Sequence, residues 1–374
     1  MSKIKTFFIC SGLGVINRGY ESFTRECFDA LKTDDRLDAY LYKGGGESIE
    51  RENTLFNLPR FQAPAKWLGK LFGKESYTIE QFTFCLSLIP YLILQKPQVL
   101  LVSDFILSTY LWHVRRFLNL KYKILFSNGA PNGPPFHRCD HVQQLLPVHY
   151  ETALKGGTPE FMQSIIPYGI QIPKEDFLNK NQKGTLRSQL NIPEDVIVLL
   201  SVAAINNHHK RINYLIEEFS KLDAEKYFLV MLGQIDKESD GIIKLAKEKL
   251  VSKNYIISSV TQQEVKSYYR IADMFVLSSL TEGLPRVMIE ALSYGLPILV
   301  HDYPLAHQVL AVHGYYANFE LINSLNSLIN QVSLIDYNDL PLKENRKNYA
   351  VVHYGWQSLK EKYVSMIEKT ANSK

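Results

Sequence analysis

The chain has 374 residues, 46% of them apolar and 21% charged, and a formal net charge of +4. That length implies two domains rather than one. The charged share argues against extensive disorder, and so slight a basic excess is too weak to argue for nucleic acid, while fitting anionic small molecules or an anionic membrane surface.

From the N-terminus, the apolar run Lys5 to Cys10 predicts a first buried strand, followed by SGLG (Ser11 to Gly14) and a helical pattern from about Tyr20 to Leu31. No cleavage site precedes this glycine loop, so no signal peptide is expected. A glycine turn between strand and helix brings backbone amides up to a phosphate. A dinucleotide fingerprint also needs a third glycine; Asn17 stands there, which disfavours a dehydrogenase and leaves a tight strand-to-helix turn as the plain reading. Residues 44 to 80 look irregular, with Gly44 to Gly46, Pro59 and Pro64. Within them, AKWLGKLFGK repeats Lys66, Lys70 and Lys74 every four residues and gathers Trp67, Leu68, Leu71 and Phe72 on another face. A basic amphipathic helix suits an anionic membrane surface, although Gly69 and Gly73 weaken the stretch as a helix; the alternative is an ordinary surface helix packed on the first domain. The apolar run Phe82 to Leu94 contains Pro90 and is too short to span a bilayer.

Val99 to Val102, Tyr122 to Phe126 and Val142 to Leu146 predict three further strands, with the loop SNGAPNGPP (Ser127 to Pro135) after the second. Four scattered cysteines (Cys10, Cys27, Cys85, Cys139), with no C-x-x-C, read as reduced cytosolic thiols. Val196 to Ala203 predicts the strand that opens a second half. Ile212, Leu215, Ile216, Phe219 and Leu222 then keep helical spacing, so a helix is expected from about Arg211 to Leu222. Lys210 and Arg211 lie at its positive end, where the helix dipole disfavours cations. A diphosphate between them and the helix amides would offset that penalty; otherwise the cations are solvated or pair with Glu217 or Glu218. His208 and His209 read as polar loop groups rather than metal ligands. Tyr227 to Gly233, Asn254 to Val260 and the helical TQQEVKSYYRIAD extend the alternation of strand and helix.

The stretch Thr281 to Pro297, TEGLPRVMIEALSYGLP, reads as a loop, a short helix and a stop. Pro285 suits a first turn, and Gly295 with Pro297 marks the end. The helix is apolar nearly all round and should be buried. Glu290 in its middle therefore needs a partner. Arg286 lies at i, i+4, in the weaker cation-first order. Glu282 and Glu290 are separated by seven residues, the first is followed by Gly-Leu-Pro, and strand-like runs Met274 to Ser279 and Pro297 to His301 flank them. This pattern resembles the E-x7-E signature of retaining GT-B glycosyltransferases of family four, the glycosyl transferases group 1.

The resemblance implies an α/β GT-B fold: two Rossmann-like domains with parallel sheets facing a central cleft. IIPYGIQIP (Ile165 to Pro173) resembles the family's interdomain crossover, giving an acceptor-binding domain over residues 1–168 and a donor-binding domain over 169–354. A terminal helix, about 355–374, is expected to cross back onto the first domain. In such an enzyme Glu282 contacts the donor sugar, Glu290 binds the nucleotide ribose and Lys210 binds phosphate, so that Glu282 and Lys210 are the catalytic candidates. The usual arginine is missing where Ala203, Ala204 and Ile205 stand, and Arg211 is the candidate substitute. Gly12 and Gly14 would face the donor phosphates. Ser259 and Val260 lie where the family binds the nucleobase, and Gly283, Leu284 and Pro285 line the donor. Many members carry a histidine where Ser127 and Asn128 stand here; these two and His137 are the acceptor-side candidates. With no D-x-D and no Cys/His/Asp cluster, neither metal nor cofactor is expected.

The implied reaction moves a sugar from a nucleotide-sugar to a hydroxyl acceptor (glycan, glycolipid or small metabolite) with retention. It proceeds by front-face attack rather than through the carboxylate pair of retaining glycosidases. A nucleotide-sugar epimerase, and a non-catalytic nucleotide-sugar-binding or membrane-associated subunit, are the alternatives. The expected location is cytoplasmic, peripheral at the membrane through residues 66–74.

Overall fold

The structure, a computed structural model, describes residues 3–16, 19–129, 132–335 and 337–373. Asn17, and part of the loop Ser127 to Pro135, lie outside the described residues. The chain forms two compact units, Met1–Gln171 with Tyr354–Lys374, and Ile172–His353. The changeover falls inside the IIPYGIQIP segment.

The first unit is built on seven parallel strands, β1 (Ile4–Cys10), β2 (Leu37–Lys43), β3 (Glu52–Thr54), β4 (Val99–Val102), β5 (Lys123–Ser127), β6 (His141–Gln144) and β7 (Gln163–Ile165), in the order β3-β2-β1-β4-β5-β6-β7. Strands covered on both faces by helices read as continuous apolar runs, and β4, with all four residues buried, is the clearest. The terminal helix Trp356–Ala371 packs on β4 and β5 of this unit. Its anchor is local: Ile170 N–H donates to the Tyr354 carbonyl at 2.8 Å, and the Trp356 indole lies so close over Gly169 that a Cβ there would come within 2.5 Å of the ring.

Two sequence expectations change here. The irregular stretch after Lys43 contains the edge strand β3, whose buried Glu52 takes a two-pronged bond from Arg25 (2.7 Å each) and a bond from Lys43 Nζ at 2.9 Å. The apolar run ending at Leu94 belongs to a helix Ser76–Gln95, which by length and composition is long and apolar enough to cross a membrane. One face of it packs into the first unit, while Phe82, Leu86, Ile93 and Leu94 on the remainder stay exposed. Phe84, Cys85, Leu88 and Leu92 are buried, Glu80 accepts from Arg60 Nη2 at 2.6 Å, and Gln81 accepts from Ser11 Oγ at 2.8 Å.

The second unit holds six parallel strands, β8 (Ile197–Val202), β9 (Tyr227–Leu232), β10 (Tyr255–Ser258), β11 (Met274–Leu277), β12 (Ile298–His301) and β13 (Gly314–Ala317), in the order β10-β9-β8-β11-β12-β13. The order reverses between β8 and β11, and the crevice outside the carboxyl ends of strands at such a switch point is where open α/β sheets bind ligands. Both units are Rossmann-like, so the fold class expected from the sequence is the one observed.

Candidate functional site

The carboxyl ends of β8 and β11 carry the cluster. After β11 the chain passes through Ser278, Ser279 and Glu282 before entering the helix Arg286–Ser293. Pro285 is that helix's N-cap, just outside its first turn. The helix buries Met288, Ile289, Ala291 and Leu292 and ends in a Schellman arrangement. Leu296 N–H reaches the Ala291 carbonyl (3.1 Å), Gly295 N–H reaches Leu292 (2.9 Å), and Gly295 adopts φ +71°, a conformation glycine takes without strain.

Glu282 is nearly buried, its side chain 8% exposed, and therefore needs partners. It has them. The Lys210 ammonium donates to Oε1, Ser279 Oγ donates to the same oxygen at 2.6 Å, and His209 Nε2 lies 3.8 Å from Oε2. Lys210 is itself held at its backbone, where its N–H donates to Asn206 Oδ1 (3.1 Å) and its carbonyl accepts from Ser278 Oγ (2.6 Å). The loops after β8 and β11 are thus tied together at one ammonium and one carboxylate. Glu290 projects from the helix with its side chain 27% exposed. Arg286 Nε is 3.8 Å from its Oε1, an ion pair too long for a hydrogen bond, and the Tyr269 hydroxyl donates to Oε2 at 3.2 Å.

Arg211 departs from expectation. It precedes the helix Ile212–Phe219 rather than starting it, with a left-handed φ of +48°. Its guanidinium donates to the Phe319 carbonyl at 3.0 Å and lies over the Tyr214 ring at 4.5 Å. One guanidinium nitrogen is thus engaged with the Phe319 carbonyl in this structure, while the side chain stays partly exposed. Ser259 and Val260 follow the end of β10; Gly283 and Leu284 lie in the loop before the helix, with Leu284 buried.

In the first unit, Gly12 and Gly14 follow β1. Gly14, at φ +84°, packs so close to Gly45 that a Cβ would meet its carbonyl oxygen at 2.3 Å, and a Cβ on Gly12 would meet Glu21 at 2.4 Å. The GGG after β2 and the loop after β1 therefore interlock, a reason for both sets of glycines that lies in packing. Ser127 ends β5, fully buried, with an Oγ that has no hydrogen-bond partner among the described residues. Asn128 is spent on structure, since its Oδ1 accepts from Asn132 N–H (2.9 Å) and its Nδ2 donates to Gln144 (3.0 Å). His137 is exposed. Asp104, after β4, caps the next helix through Leu107 N–H (2.8 Å) and accepts from the Tyr77 hydroxyl; burial pushes its carboxyl up to about 6.

Sequence reasoning missed Ser278, Ser279, Asn206, Tyr269 and Tyr303. The Tyr303 hydroxyl, past the end of β12, is buried without a partner among the described residues, and burial and then the charge of Glu282 raise its pKa. Among the described residues no group of three or more His, Cys, Asp or Glu is placed to hold a metal.

Comparison with known proteins points the same way. The chain is 24% identical over 51% of its length to an alpha-monoglucosyldiacylglycerol synthase of Streptococcus pneumoniae, and 25% identical over 60% to an O-antigen chain mannosyltransferase, RfbU, of Salmonella typhimurium. These alignments span 44% and 58% of those relatives, and across the curated relatives the share runs from 34% to 59%. A solved structure of Anabaena HepE in complex with UDP-glucose superposes with a TM-score of 0.76 at 11% identity, covering 98% of this chain and 99% of that one, a likeness of fold. The family described as glycosyl transferases group 1 matches residues 182–369, half of the chain. That stretch contains Lys210, Glu282 and Glu290, and by its extent the chain belongs to the glycosyl transferases group 1 family.

Proposed function

We propose that the protein transfers a sugar from a nucleotide-sugar donor to a hydroxyl acceptor, with retention at the anomeric carbon and without a metal. The observation that carries this reading is the Lys210–Glu282–Ser279 cluster at the carboxyl ends of β8 and β11, with Glu290 on the helix that follows. A departing nucleoside diphosphate gains negative charge, and an ammonium fixed in a partly buried site stabilises that charge more than water does. Lys210 fills this role, while Glu282 and the Gly283 and Leu284 amides hold sugar hydroxyls and Glu290 holds the ribose. Ser259 and Val260 lie beside the base. No carboxylate pair is assigned as a nucleophile, so attack from the leaving-group face is the step we infer. The UDP-glucose in the HepE complex and the glycosyltransferase names of the relatives support this reading.

Glu290→Gln is expected to weaken binding of a nucleoside diphosphate by roughly tenfold or more, since a hydrogen bond to a charged acceptor contributes about 1.5–3 kcal/mol. Titration calorimetry of both proteins checks it. Equal affinities would leave Glu290 as the partner of Arg286 and Tyr269 alone.

The acceptor side carries a membrane reading. In the helix Ala63–Phe72 only Ala65 and Gly69 are buried; Trp67, Leu71 and Phe72 are 64%, 62% and 65% exposed. Gly69 and Gly73 do not prevent the helix. Apolar side chains left in solvent beside Lys66, Lys70 and Lys74 favour peripheral contact with an anionic bilayer reached from the cytosol. At about 1 kcal/mol per lysine the binding is reversible and salt-sensitive. Wild type should co-sediment with anionic vesicles at low salt, and not at high salt or with neutral lipid. A triple Lys→Glu variant should stay in the supernatant. Wild type left in the supernatant with anionic vesicles at low salt would end the membrane reading.

A further inference from the structure

Glu290 lies on a short helix, and a hydroxyl that bonds its carboxylate comes from another helix. Tyr269 belongs to Gln262–Ile271, the helix between β10 and β11. Its ring is buried, stacked on Tyr294 at 5.1 Å with planes 8° apart, and packed against Phe275 at 6.0 Å. These contacts fix the ring and thereby the direction of its hydroxyl. That hydroxyl lies 3.2 Å from Glu290 Oε2 and 3.4 Å from the Val287 carbonyl. The nearer acceptor here is the carboxylate, whose charge draws the hydroxyl more than a neutral carbonyl does.

We propose that Tyr269 is a positioning residue for nucleotide recognition, helping to hold the Glu290 carboxylate in a rotamer from which it meets the ribose hydroxyls. This rests on the reading of Glu290 as the ribose ligand. A glutamate side chain has three rotatable bonds, and the last is a broad, roughly two-fold torsion. At 27% exposure Glu290 is not locked by packing alone. The 3.8 Å contact with Arg286 supplies attraction without a hydrogen bond's direction. The Tyr269 hydroxyl supplies direction. Burial, and then the Glu290 charge, hold the Tyr269 pKa well above its ordinary value, so the phenol stays a donor throughout the physiological range.

The test measures discrimination between ribose and deoxyribose. The probe is whichever of UDP, GDP, ADP and CDP binds wild type most tightly, together with its 2′-deoxy and 3′-deoxy forms. Wild type is expected to prefer the ribonucleotide by about tenfold or more over at least one deoxy form. Glu290→Gln should abolish most of that preference. Tyr269→Phe keeps the ring and its stack on Tyr294, and should reduce the preference severalfold while leaving affinity for the deoxy form nearly unchanged. Adding Tyr269→Phe to Glu290→Gln should cost nothing further, because residues acting through one contact are not additive. A general packing defect would instead weaken both nucleotides alike. If Glu290→Gln loses the preference and Tyr269→Phe keeps it, the positioning role is wrong and the Glu290 assignment stands. If Glu290→Gln keeps the preference as well, both are wrong.

Discussion

Lys210→Ala is expected to slow nucleoside diphosphate release from the donor by roughly 10²–10³-fold, the loss seen when one preorganised donor to a developing anion is removed. The loss should fall on kcat more than on KM, because the charge that Lys210 meets grows as the bond to the sugar breaks. The geometry explains why no neighbour takes over. Arg211 is bound to the Phe319 carbonyl and covers Tyr214, and His209 is half-exposed and 3.8 Å from Glu282. Removing the lysine also strips Glu282 of its cation, so the melting temperature is measured beside the rate. Lys210→Arg keeps the charge but replaces a compact ammonium by a planar fork, and should recover only part of the rate. The check is donor hydrolysis followed as nucleoside diphosphate release, for all three proteins. A Lys210→Ala enzyme that turns over near the wild-type rate would remove the lysine from the chemistry.

The largest expected effect on stability lies at the opposite end of the same sheet. Asp273 precedes β11, with its side chain 4% exposed. It accepts from Lys183 Nζ (2.5 Å), Arg187 Nη2 (2.5 Å) and the Val198 N–H (2.7 Å). Arg187 donates further to the carbonyls of Ile271, Glu194 and Val196, which ties the helix Lys180–Gln189 to the amino ends of β8 and β11. Asp273→Ala would leave the buried Arg187 and the partly buried Lys183 without their anion, a change that costs about 3–5 kcal/mol. At about 2–4 °C per kcal/mol for a unit of this size, the melting transition should fall by roughly 10 °C. Asp273→Asn, which keeps acceptor capacity but not the charge, should lose less. Scanning calorimetry of the three proteins checks this, and an Asp273→Ala transition within about 2 °C of wild type would contradict it.

The legible parts of the fold are those whose cause is local. β4, β9 and β11 lie inside their sheets and present unbroken apolar runs, β8 and β12 are apolar but for Ser201 and His301, and the short helix carrying Glu290 announces its end through Gly295 and Pro297. The edge strands β3, β7, β10 and β13 pair on one side only; of these, ENT, QSI and GYYA lack the apolar run that would mark a strand. β3 in particular is held by Arg25, which lies far from Glu52 in sequence. β2 is interior yet was missed, because Asp38 and Lys43 interrupt its apolar residues. The candidate site divides in the same way. Lys210, Glu282 and Glu290 carry a pattern that sequence displays. Ser279 and Tyr269 act only through contacts made after folding, and Tyr269 reaches Glu290 from a different helix. The helix starts one residue after Arg211 because side-chain periodicity cannot show that the residue just ahead of a helix takes a left-handed φ and turns its guanidinium toward Phe319.

The central claim is that the second unit binds a nucleotide-sugar without help from a metal. It is tested most directly by calorimetric titration of the purified chain, in EDTA, with UDP-, GDP-, ADP- and CDP-sugars, alongside the Lys210→Ala and Glu290→Gln variants. At least one nucleotide-sugar is expected to bind wild type in EDTA, and Glu290→Gln to bind the same ligand roughly tenfold or more weakly. Failure of every nucleotide-sugar to bind, or binding that appears only when magnesium or manganese is added, would contradict it.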